Sequence, residues 1–432
     1  MKDLDSSTKS AIINNPIENV LSITVYDSME IPYMTITEEN MVSESMVLKQ
    51  SICDDSDLKF GGCIASEFEI DLINTENKAF SNDLVGKRIS VALKQTFTAN
   101  GLLYPKSNLR PSSNLYPGNT SGSKLWYLFR GYIDSAERDQ NNKNTRHVVA
   151  YDAFATMYQT DATNTLYDYI KSGAAFGTIL KGCIPIPISN NVNDILNTVI
   201  NQDQNLTLND MPVFNDDWIE ENSSISKGEV VRMCCEMIGG FGVINQTSTS
   251  YVFDIIFFNG SNQYGPNIET YDFYEELNSE EYTTYGYNYF LFTIGGNNRN
   301  EKVKKMSSDI VGTIKDERIY DLTDNILCWQ KGDGSGNPTT SNININNLIH
   351  SFTGSKMYVP RYTPLSAKLD GRLWVECGDK VRVIVNQTDT EGNYIYDGKG
   401  SIKTETVSSY VLSKTLTGIK ALTDKIEAKG AL

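Results

Sequence analysis

Short runs in which apolar and polar residues alternate are the feature that most limits the folds open to this chain. The alternation occurs in residues 67–72, 89–93 and 380–385. Because successive side chains of an extended strand point to opposite faces, a period of two predicts a strand with one buried face. Clusters of Gly, Pro, Asn and Ser elsewhere in the sequence predict turns and loops. The sequence therefore predicts an α+β chain that is mostly β.

The first half of the chain contains further strand signals. Residues 21–26 begin the series, and residues 126–134 and 145–151 form a predicted hairpin pair. Residues 100–123 are rich in Gly, Ser, Asn and Pro, which predicts a long loop between strands. A helix is expected to begin at Asp152, directly after the hairpin.

One helix is predicted together with both of its ends. Ser226 and Glu229 have the spacing of a capping box, in which each side chain accepts a hydrogen bond from an otherwise unpaired N–H. The apolar residues from Val230 to Ile238 recur at helical spacing, and Gly239 provides a stop. A strand is expected after this glycine.

The last third of the chain predicts a compact series of strands. Residues 373–377 are interpreted as a strand that enters a turn at Gly378-Asp379, and residues 380–385 as the strand that leaves it. Another strand is predicted before Gly418, and a short helix is expected from this glycine to the C-terminus.

Length and composition narrow the class of protein. A chain of 432 residues is long enough for roughly three domains, and it has no apolar run that could cross a bilayer and no secretory signal at its start. We therefore expect synthesis in a cytoplasm and no membrane anchoring. The net charge of −16 argues against a surface that binds nucleic acid, which needs clustered Lys and Arg.

The sequence contains few residues in arrangements that suit catalysis or metal binding. The 7 cysteines form no Cys-x-x-Cys pair, so we interpret them as buried and reduced, with a metal site or redox pair as the alternative. The 2 histidines, His147 and His350, are too few for a zinc site and lack a nucleophile elbow. Gly332–Asn337 lacks the residues of a phosphate or calcium loop. The sequence therefore predicts no cofactor, no metal and no enzymatic activity.

Paired carboxylates leave one enzymatic alternative open. A glycoside hydrolase needs two carboxyl groups beside the sugar, and Asp216-Asp217 and Glu220-Glu221 provide candidates in an aromatic-rich chain. In an acidic chain such clusters are more often solvated. A cell-wall carbohydrate hydrolase or a glycan-binding lectin therefore stays as the alternative function, and an exported adhesin is disfavoured because no export signal is present.

A series of motifs follows in a fixed order from about residue 21 to residue 430. It includes Gly131-Tyr-Ile-Asp-Ser-Ala136 and Cys235-Glu-Met-Ile-Gly-Gly-Phe-Gly242, and it ends with Val375-Glu-Cys-Gly-Asp-Lys-Val381 and Leu412-Ser-Lys-Thr-Leu-Thr-Gly-Ile-Lys-Ala-Leu422. In this order the motifs resemble the tail-tip and baseplate hub proteins of phages and prophages of Gram-positive bacteria. Lys414 stands where the family usually has Arg.

The resemblance implies two small β-barrel-like hub domains with α/β connecting regions in a ring-forming protomer. We predict an N-terminal arm in residues 1–19, the first β-barrel hub domain in 20–155 and an α/β connecting region in 156–225. A second hub domain with inserted loops is predicted in 226–350, and closing strands with a C-terminal helix in 351–432.

The resemblance also implies a structural function in the virion tail, after assembly in the host cytoplasm. Such a hub joins the end of the tail tube to the spike or receptor-binding apparatus. The expected partners are two further copies in a homotrimer, the distal tail protein ring, the tape measure protein, and a spike or tail fibre protein. Because the sequence stops shortly after the hub motifs, we expect any wall-cleaving enzyme to be a separate chain.

The charge suggests how DNA passes such a hub. If the acidic residues line the exit channel, DNA moves through without specific binding because phosphate is repelled. Glu67, Glu69 and Asp71 lie on one face of a predicted strand and are the candidate acidic face of the lumen.

Overall fold

The structure of the protein is a computed structural model, and the statements below concern the residues that it describes. These are residues 4–14, 16–27, 31–53, 59–75, 84–97, 122–174, 176–196, 224–247, 251–257, 268–271, 274–279, 289–295, 301–306, 319–328, 330–331 and 364–428. The predicted loop at 100–123, apart from its last two residues, lies outside these ranges, as do Asp216-Asp217, Glu220-Glu221, Gly332–Asn337 and His350.

Strands make up most of the regular structure, as predicted. The helices are α1 (Ser6–Asn14), α2 (Ala153–Gln159), α3 (Thr163–Ser172), α4 (Phe176–Cys183), α5 (Asn190–Ile195) and α6 (Lys227–Met237). The strands that precede α2 are β1 (Ile17–Tyr26), β2 (Pro32–Thr37), β3 (Val47–Ser51), β4 (Gly61–Gly62), β5 (Glu67–Ile73), β6 (Arg88–Phe97), β7 (Gly122–Arg138) and β8 (Thr145–Tyr151).

The remaining strands follow α6. They are β9 (Phe241–Gln246), β10 (Tyr251–Ile256), β11 (Ile268–Tyr271), β12 (Glu276–Ser279), β13 (Tyr289–Gly295), β14 (Glu301–Met306), β15 (Ile319–Asp321), β16 (Gln330–Lys331), β17 (Leu365–Asp370), β18 (Lys380–Asn386), β19 (Thr404–Tyr410), β20 (Ser413–Thr417) and β21 (Thr423–Ala428). Two 3-10 helices occupy Glu38–Asn40 and Ile326–Cys328.

The largest sheet joins the two ends of the chain. Its 11 strands have the order β12-β17-β21-β20-β3-β5-β8-β7-β6-β1-β2. The junction is the antiparallel pair β20–β3, in which Thr415 lies opposite Lys49 and Leu416 opposite Leu48. The strands near the C-terminus therefore extend the sheet built by the N-terminal strands. Among the described residues β2 is an edge strand, so this sheet does not close into a barrel.

One face of this sheet packs against the core, as the alternation predicted. Phe68, Ile70 and Leu72 on β5 are buried, while the acidic residues between them are half-buried. The same pattern holds on β6 of this sheet and on β18, which belongs to a smaller sheet. The half-buried or exposed side chains of β5 thus share the opposite, polar face of the sheet with those of its neighbours.

Three smaller sheets complete the described strands. Their orders are β10-β9-β4, β11-β18-β19 and β14-β13-β15, with β16 paired to β13. In the first, β4 runs parallel to β9, and Gly61 and Gly62 lie opposite Phe241 and Gly242. A Cβ on Gly62 would lie 2.7 Å from the carbonyl oxygen of Gly242, so this approach of two backbones requires glycine.

Helix α6 begins and ends where the sequence predicted. The Ser226 side chain accepts a hydrogen bond from the N–H of Glu229, and the Glu229 side chain accepts one from the N–H of Ser226. Val230 and Ile238 are buried, and Gly239 has a φ of 69°. The helix predicted after Asp152 is also confirmed, because the Asp152 side chain caps α2.

Two predictions for the last third were wrong. Residues 373–377 form turns in place of a strand, and the segment after Gly418 forms strand β21 in place of a C-terminal helix. Lys and Ala in this segment favour a helix by intrinsic propensity, but β21 pairs with both β17 and β20, and this tertiary pairing prevails. Its buried Asp424, Ile426 and Ala428 have the period of a strand.

The predicted N-terminal arm contains helix α1, which packs against the body of the protein. Ala11 and Ile12 on this helix are buried. The Nζ of Lys9 lies 3.4 Å from a carboxylate oxygen of Glu269 and 5.9 Å from the ring centroid of Trp374. Helix α1 therefore packs beside Glu269 and Trp374, close to the turn at Gly378-Asp379. The predicted domain boundaries stay predictions.

Candidate functional site

The predicted acidic face lies in the middle of the 11-stranded sheet. Glu67, Glu69 and Asp71 stand on β5 between β3 and β8. Their side chains are 25%, 21% and 36% exposed, so water reaches all three carboxylates. The strand places them side by side on the polar face, as the alternation predicted.

Basic side chains on the neighbouring strands pair with these carboxylates. The Nζ of Lys49 on β3 donates hydrogen bonds to Glu67, at 2.6 Å, and to Glu69. On β8, Nδ1 of His147 lies 2.8 Å from Oδ1 of Asp71. Hydrogen bonds to the two glutamates raise the pKa of Lys49, which keeps this side chain charged. The acidic face is therefore partly neutralised within the chain itself.

A second group of charged residues is buried at the motif around Lys414. Its Nζ donates to the carbonyl oxygens of Arg372, at 2.9 Å, and of Val375, at 2.8 Å, and lies 3.3 Å from Oδ2 of Asp424. The side chains of Lys414 and Asp424 are 4% and 0% exposed. Lys414 thus holds the turns at 372–375 against β20 and β21.

Arg372 extends this buried network towards β11. Its guanidinium donates to Glu269 at 2.8 Å and to Asp370 at 3.0 Å, and stacks 4.1 Å from the ring centroid of Tyr271. Its backbone N–H donates to Oδ2 of Asp424 at 2.9 Å. We call Glu269, Asp370, Arg372, Lys414 and Asp424 the closing network.

Burial dominates the electrostatics of the closing network. It raises the pKa of Asp424 to about 6, although Lys414 favours the charged form. One carboxylate oxygen of Asp424, Oδ1, has no hydrogen-bond partner among the described residues. The network therefore keeps a carboxylate in an environment that is costly for its charge, which links its stability to pH.

The turn at Gly378-Asp379 is built from backbone contacts. The Asp379 side chain accepts a hydrogen bond from the N–H of Glu376 at 2.8 Å, and the N–H of Gly378 donates to the carbonyl of Val411 at 2.7 Å. Gly378 has a φ of 92°, and a Cβ there would lie 2.5 Å from the side chain of Ile256. These motif residues therefore shape a turn and the strand pairing beside it.

A chain of hydrogen bonds connects Trp126 on β7 to the last motif. Trp126 Nε1 donates to Gln95 at 2.8 Å, Gln95 donates to Asn19 at 3.1 Å, and Asn19 donates to the carbonyl of Lys420 at 3.0 Å. Trp126 and Trp374 also lie 6.4 Å apart between ring centroids. Residues distant in sequence thus meet beside β1, β6 and β7 of the 11-stranded sheet.

Sequence reasoning missed Arg372 and Glu236 as buried charges. Glu236 on α6 accepts hydrogen bonds from the Tyr320 hydroxyl at 2.8 Å and from the Asn325 amide at 2.9 Å. Burial raises its pKa. The available signal was a single acidic residue inside the apolar run Met233–Ile238.

Within the described ranges, no group of three or more His, Cys, Asp or Glu side chains is placed to hold a metal ion. In the same part of the chain, no helix is long and apolar enough to cross a membrane. The charges of the closing network contact one another and the backbone, whereas Glu236 contacts the side chains of Tyr320 and Asn325.

Comparisons with known proteins give weak structural similarity to tail proteins. The tail protein from Neisseria meningitidis MC58 has 10% identity and a TM-score of 0.42, with 95% of this chain and 97% of that chain covered. Prophage tail protein gp18 from Listeria monocytogenes EGD-e has 9% identity and a TM-score of 0.38, with 95% and 94% covered.

A third similar structure belongs to a secretion system. The E. coli c3393 protein, described as a component of the type VI secretion system with similarity to T4 bacteriophage tail proteins gp27 and gp5, has 7% identity and a TM-score of 0.33. This chain is covered to 97% and that chain to 75%. No protein-family model and no curated protein matches the sequence.

Proposed function

We propose that this chain is a structural hub protein of a phage tail tip or baseplate. It would join the end of the tail tube to the spike or receptor-binding apparatus and line the exit channel for DNA. Its localisation would be the virion tail. The proposal rests on the ordered motifs of the sequence and on the positions that their residues take in the fold.

The single observation that carries the proposal is the closing network. Lys414, from the last motif, donates a hydrogen bond to the carbonyl of Val375 in the turns that precede Gly378. Its partner Asp424 lies on the adjacent strand β21. Through β20, these strands extend the sheet of β3 and β5. The last motif thus includes the strand that joins the C-terminal strands to this wide sheet, which is an expected role of motif residues in a structural protomer.

The polar face of this sheet is the proposed wall of the channel. Glu67, Glu69 and Asp71 lie on it, and Lys49 and His147 pair with them. A wall of this kind would repel DNA phosphate while its own cations hold the carboxylates in place. The orientation of this face towards the lumen is part of the proposal.

The proposed assembly is a homotrimeric ring. Its further partners would be the distal tail protein ring, the tape measure protein, and a spike or tail fibre protein. We propose no enzymatic activity for this chain, since its buried charged residues bind each other and the backbone.

The test is the mass of the purified protein by light scattering, together with negative-stain images of the same fractions. Rings with threefold symmetry would support a hub. If the protein stays monomeric, purified virion tails are probed with antibody fragments against this chain. Labelling at the distal end of the tail would support the proposal, and absence of the chain from virions would reject it.

A further inference from the structure

Two of the 7 cysteines meet at the junction of β4, β9 and α6. Cys63 directly follows β4, and its N–H donates to the carbonyl of Gly242 at 2.8 Å. Cys235 lies on α6 and faces the same junction. Both residues are 0% exposed. The two are distant in sequence, so nothing in their spacing predicted this meeting.

The two sulfur atoms share the space above Gly242. A Cβ on Gly242 would lie 2.4 Å from Sγ of Cys63 and 3.2 Å from Sγ of Cys235. Because the glycine has no side chain, both thiols fill the same small volume. Phe253 forms another wall of this volume, at 3.0 Å from the same position. The glycine therefore permits a contact between sulfurs that any larger residue would block.

The surroundings of the pair are apolar. Burial raises the pKa of Cys235 well above its usual range, and a hydrogen bond with Cys63 acts in the same direction. Sγ of Cys63 also lies 3.4 Å from the carbonyl oxygen of Gly61. Cys63 has a φ of 60°, a left-handed conformation that is uncommon for residues other than Gly, Asn and Asp. The backbone of Cys63 thus has an uncommon conformation at the position that carries this thiol.

We propose that Cys63 and Cys235 are a disulfide-forming pair that links β4 to α6 when the protein meets an oxidising small-molecule disulfide. The thiolate of one cysteine attacks a sulfur of glutathione disulfide and releases one glutathione thiolate. The second cysteine thiolate then attacks the protein sulfur of the mixed disulfide and releases the other. Two protein thiols are oxidised, one glutathione disulfide is reduced, and both protons end on the released glutathione thiols.

Burial sets the rate of this reaction. Because the thiolate is the nucleophile, two buried thiols react slowly in the closed structure and faster when the junction opens. Once formed, the bond closes a loop of more than one hundred residues in the unfolded chain, which should raise the melting temperature. The inference is independent of the function proposed above.

The test compares reduced protein with protein refolded in a buffer of glutathione and glutathione disulfide. Free thiols are alkylated under denaturing conditions, and the peptides are mapped by mass spectrometry without reduction. We expect one linked peptide pair that contains Cys63 and Cys235, a mass lower by two hydrogens, and a higher melting temperature. Alkylation of both cysteines in the refolded, oxidised protein would overturn the proposal.

The matched control is the neighbouring buried cysteine. Cys234→Ser should leave the Cys63–Cys235 link in place, whereas Cys235→Ser should abolish it. Linkage of Cys63 to Cys234 in the native chain would also overturn the proposal. Because the map is made on the unsubstituted protein, the result does not depend on whether a variant folds.

Discussion

The acidic face of β5 and the closing network place similar ion pairs in opposite surroundings. On the face, Lys49 is 51% exposed and its glutamates are reached by water. In the network, Lys414 and Asp424 are 4% and 0% exposed. An exposed pair contributes little to stability, while a buried charge that loses its partner is costly. We therefore expect the sheet to lose far more stability when one of its few buried charges is removed than when a surface charge is removed.

The largest effect is expected for Lys414→Met. The substitution removes the ammonium group that pairs with the buried Asp424. It also leaves the carbonyl oxygens of Arg372 and Val375 without this hydrogen-bond donor. We expect the free energy of unfolding to fall by about 3–5 kcal/mol, measured by urea denaturation. The control is Lys425→Met on the adjacent strand, where the side chain is 54% exposed and contacts Glu427. An equal loss in both variants would contradict the comparison.

The pH dependence of stability should have opposite signs for three buried aspartates, one of them in the closing network, and for the acidic face. Burial raises the pKa values of Asp152, Asp379 and Asp424 from 3.8 to about 6. Their contribution is therefore fully present below pH 4 and is lost as pH rises through 6. For Glu67, hydrogen bonds with Glu69 and Lys49 lower the pKa from 4.5 to about 2, so its contribution is present above pH 4.5 and is lost as pH falls towards 2.

Asp424→Asn tests this sign. Each of the three buried aspartates should lower the free energy of unfolding on the order of 1–3 kcal/mol between pH 4 and pH 7. The asparagine variant should show a smaller decrease over this range, measured by denaturation at closely spaced pH values. Glu67→Gln serves as the matched control, because it should change the profile only below pH 4.5. An unchanged slope for Asp424→Asn would show that Lys414 keeps this carboxylate ionised throughout.

The next effect concerns the hydrogen-bond chain that connects Trp126 to Lys420. Gln95→Leu leaves Trp126 Nε1 and the Asn19 side chain without their buried partner. We expect a loss of about 1–3 kcal/mol, measured by urea denaturation. Gln50→Leu on β3, at a half-buried position, is the control and should cost less. A neutral Gln95→Leu would show that water or another side chain replaces the amide.

Local patterns were the part of the fold that the sequence could predict. Alternation located β5, β6 and β18, and the Ser226–Glu229 capping box located the start of α6. Each of these signals lies within a single strand or helix and reflects which of its side chains are buried or cap its end. Strand β21 was not predicted. Asp424, Ile426 and Ala428 form its buried face, but Asp424 is a polar residue, so the sequence lacks the alternation of apolar and polar residues by which a strand is recognised.

Contacts between distant segments could not be predicted. The sequence identified Lys414 as a motif residue but gave no indication that Arg372 and Asp424 lie beside it, or that Glu269 pairs with Arg372. The acidic residues of β5 were placed on one face correctly, yet their pairing with Lys49 depends on the register of β3 against β5. Strand register is fixed by long-range packing, which one sequence does not display.

The smallest effect is expected for Lys49→Gln on the acidic face. The lysine is half exposed and shared between two glutamates that water already solvates. We expect a change of less than about 1 kcal/mol in the free energy of unfolding, and a smaller difference from the native chain at high salt because screening weakens the pair. Thr415→Val, directly opposite on β20, controls for the loss of a polar side chain at this site. A loss as large as that of Lys414→Met would mean that the face is buried in the assembled or folded protein, and its proposed role as a solvated channel wall would then be wrong.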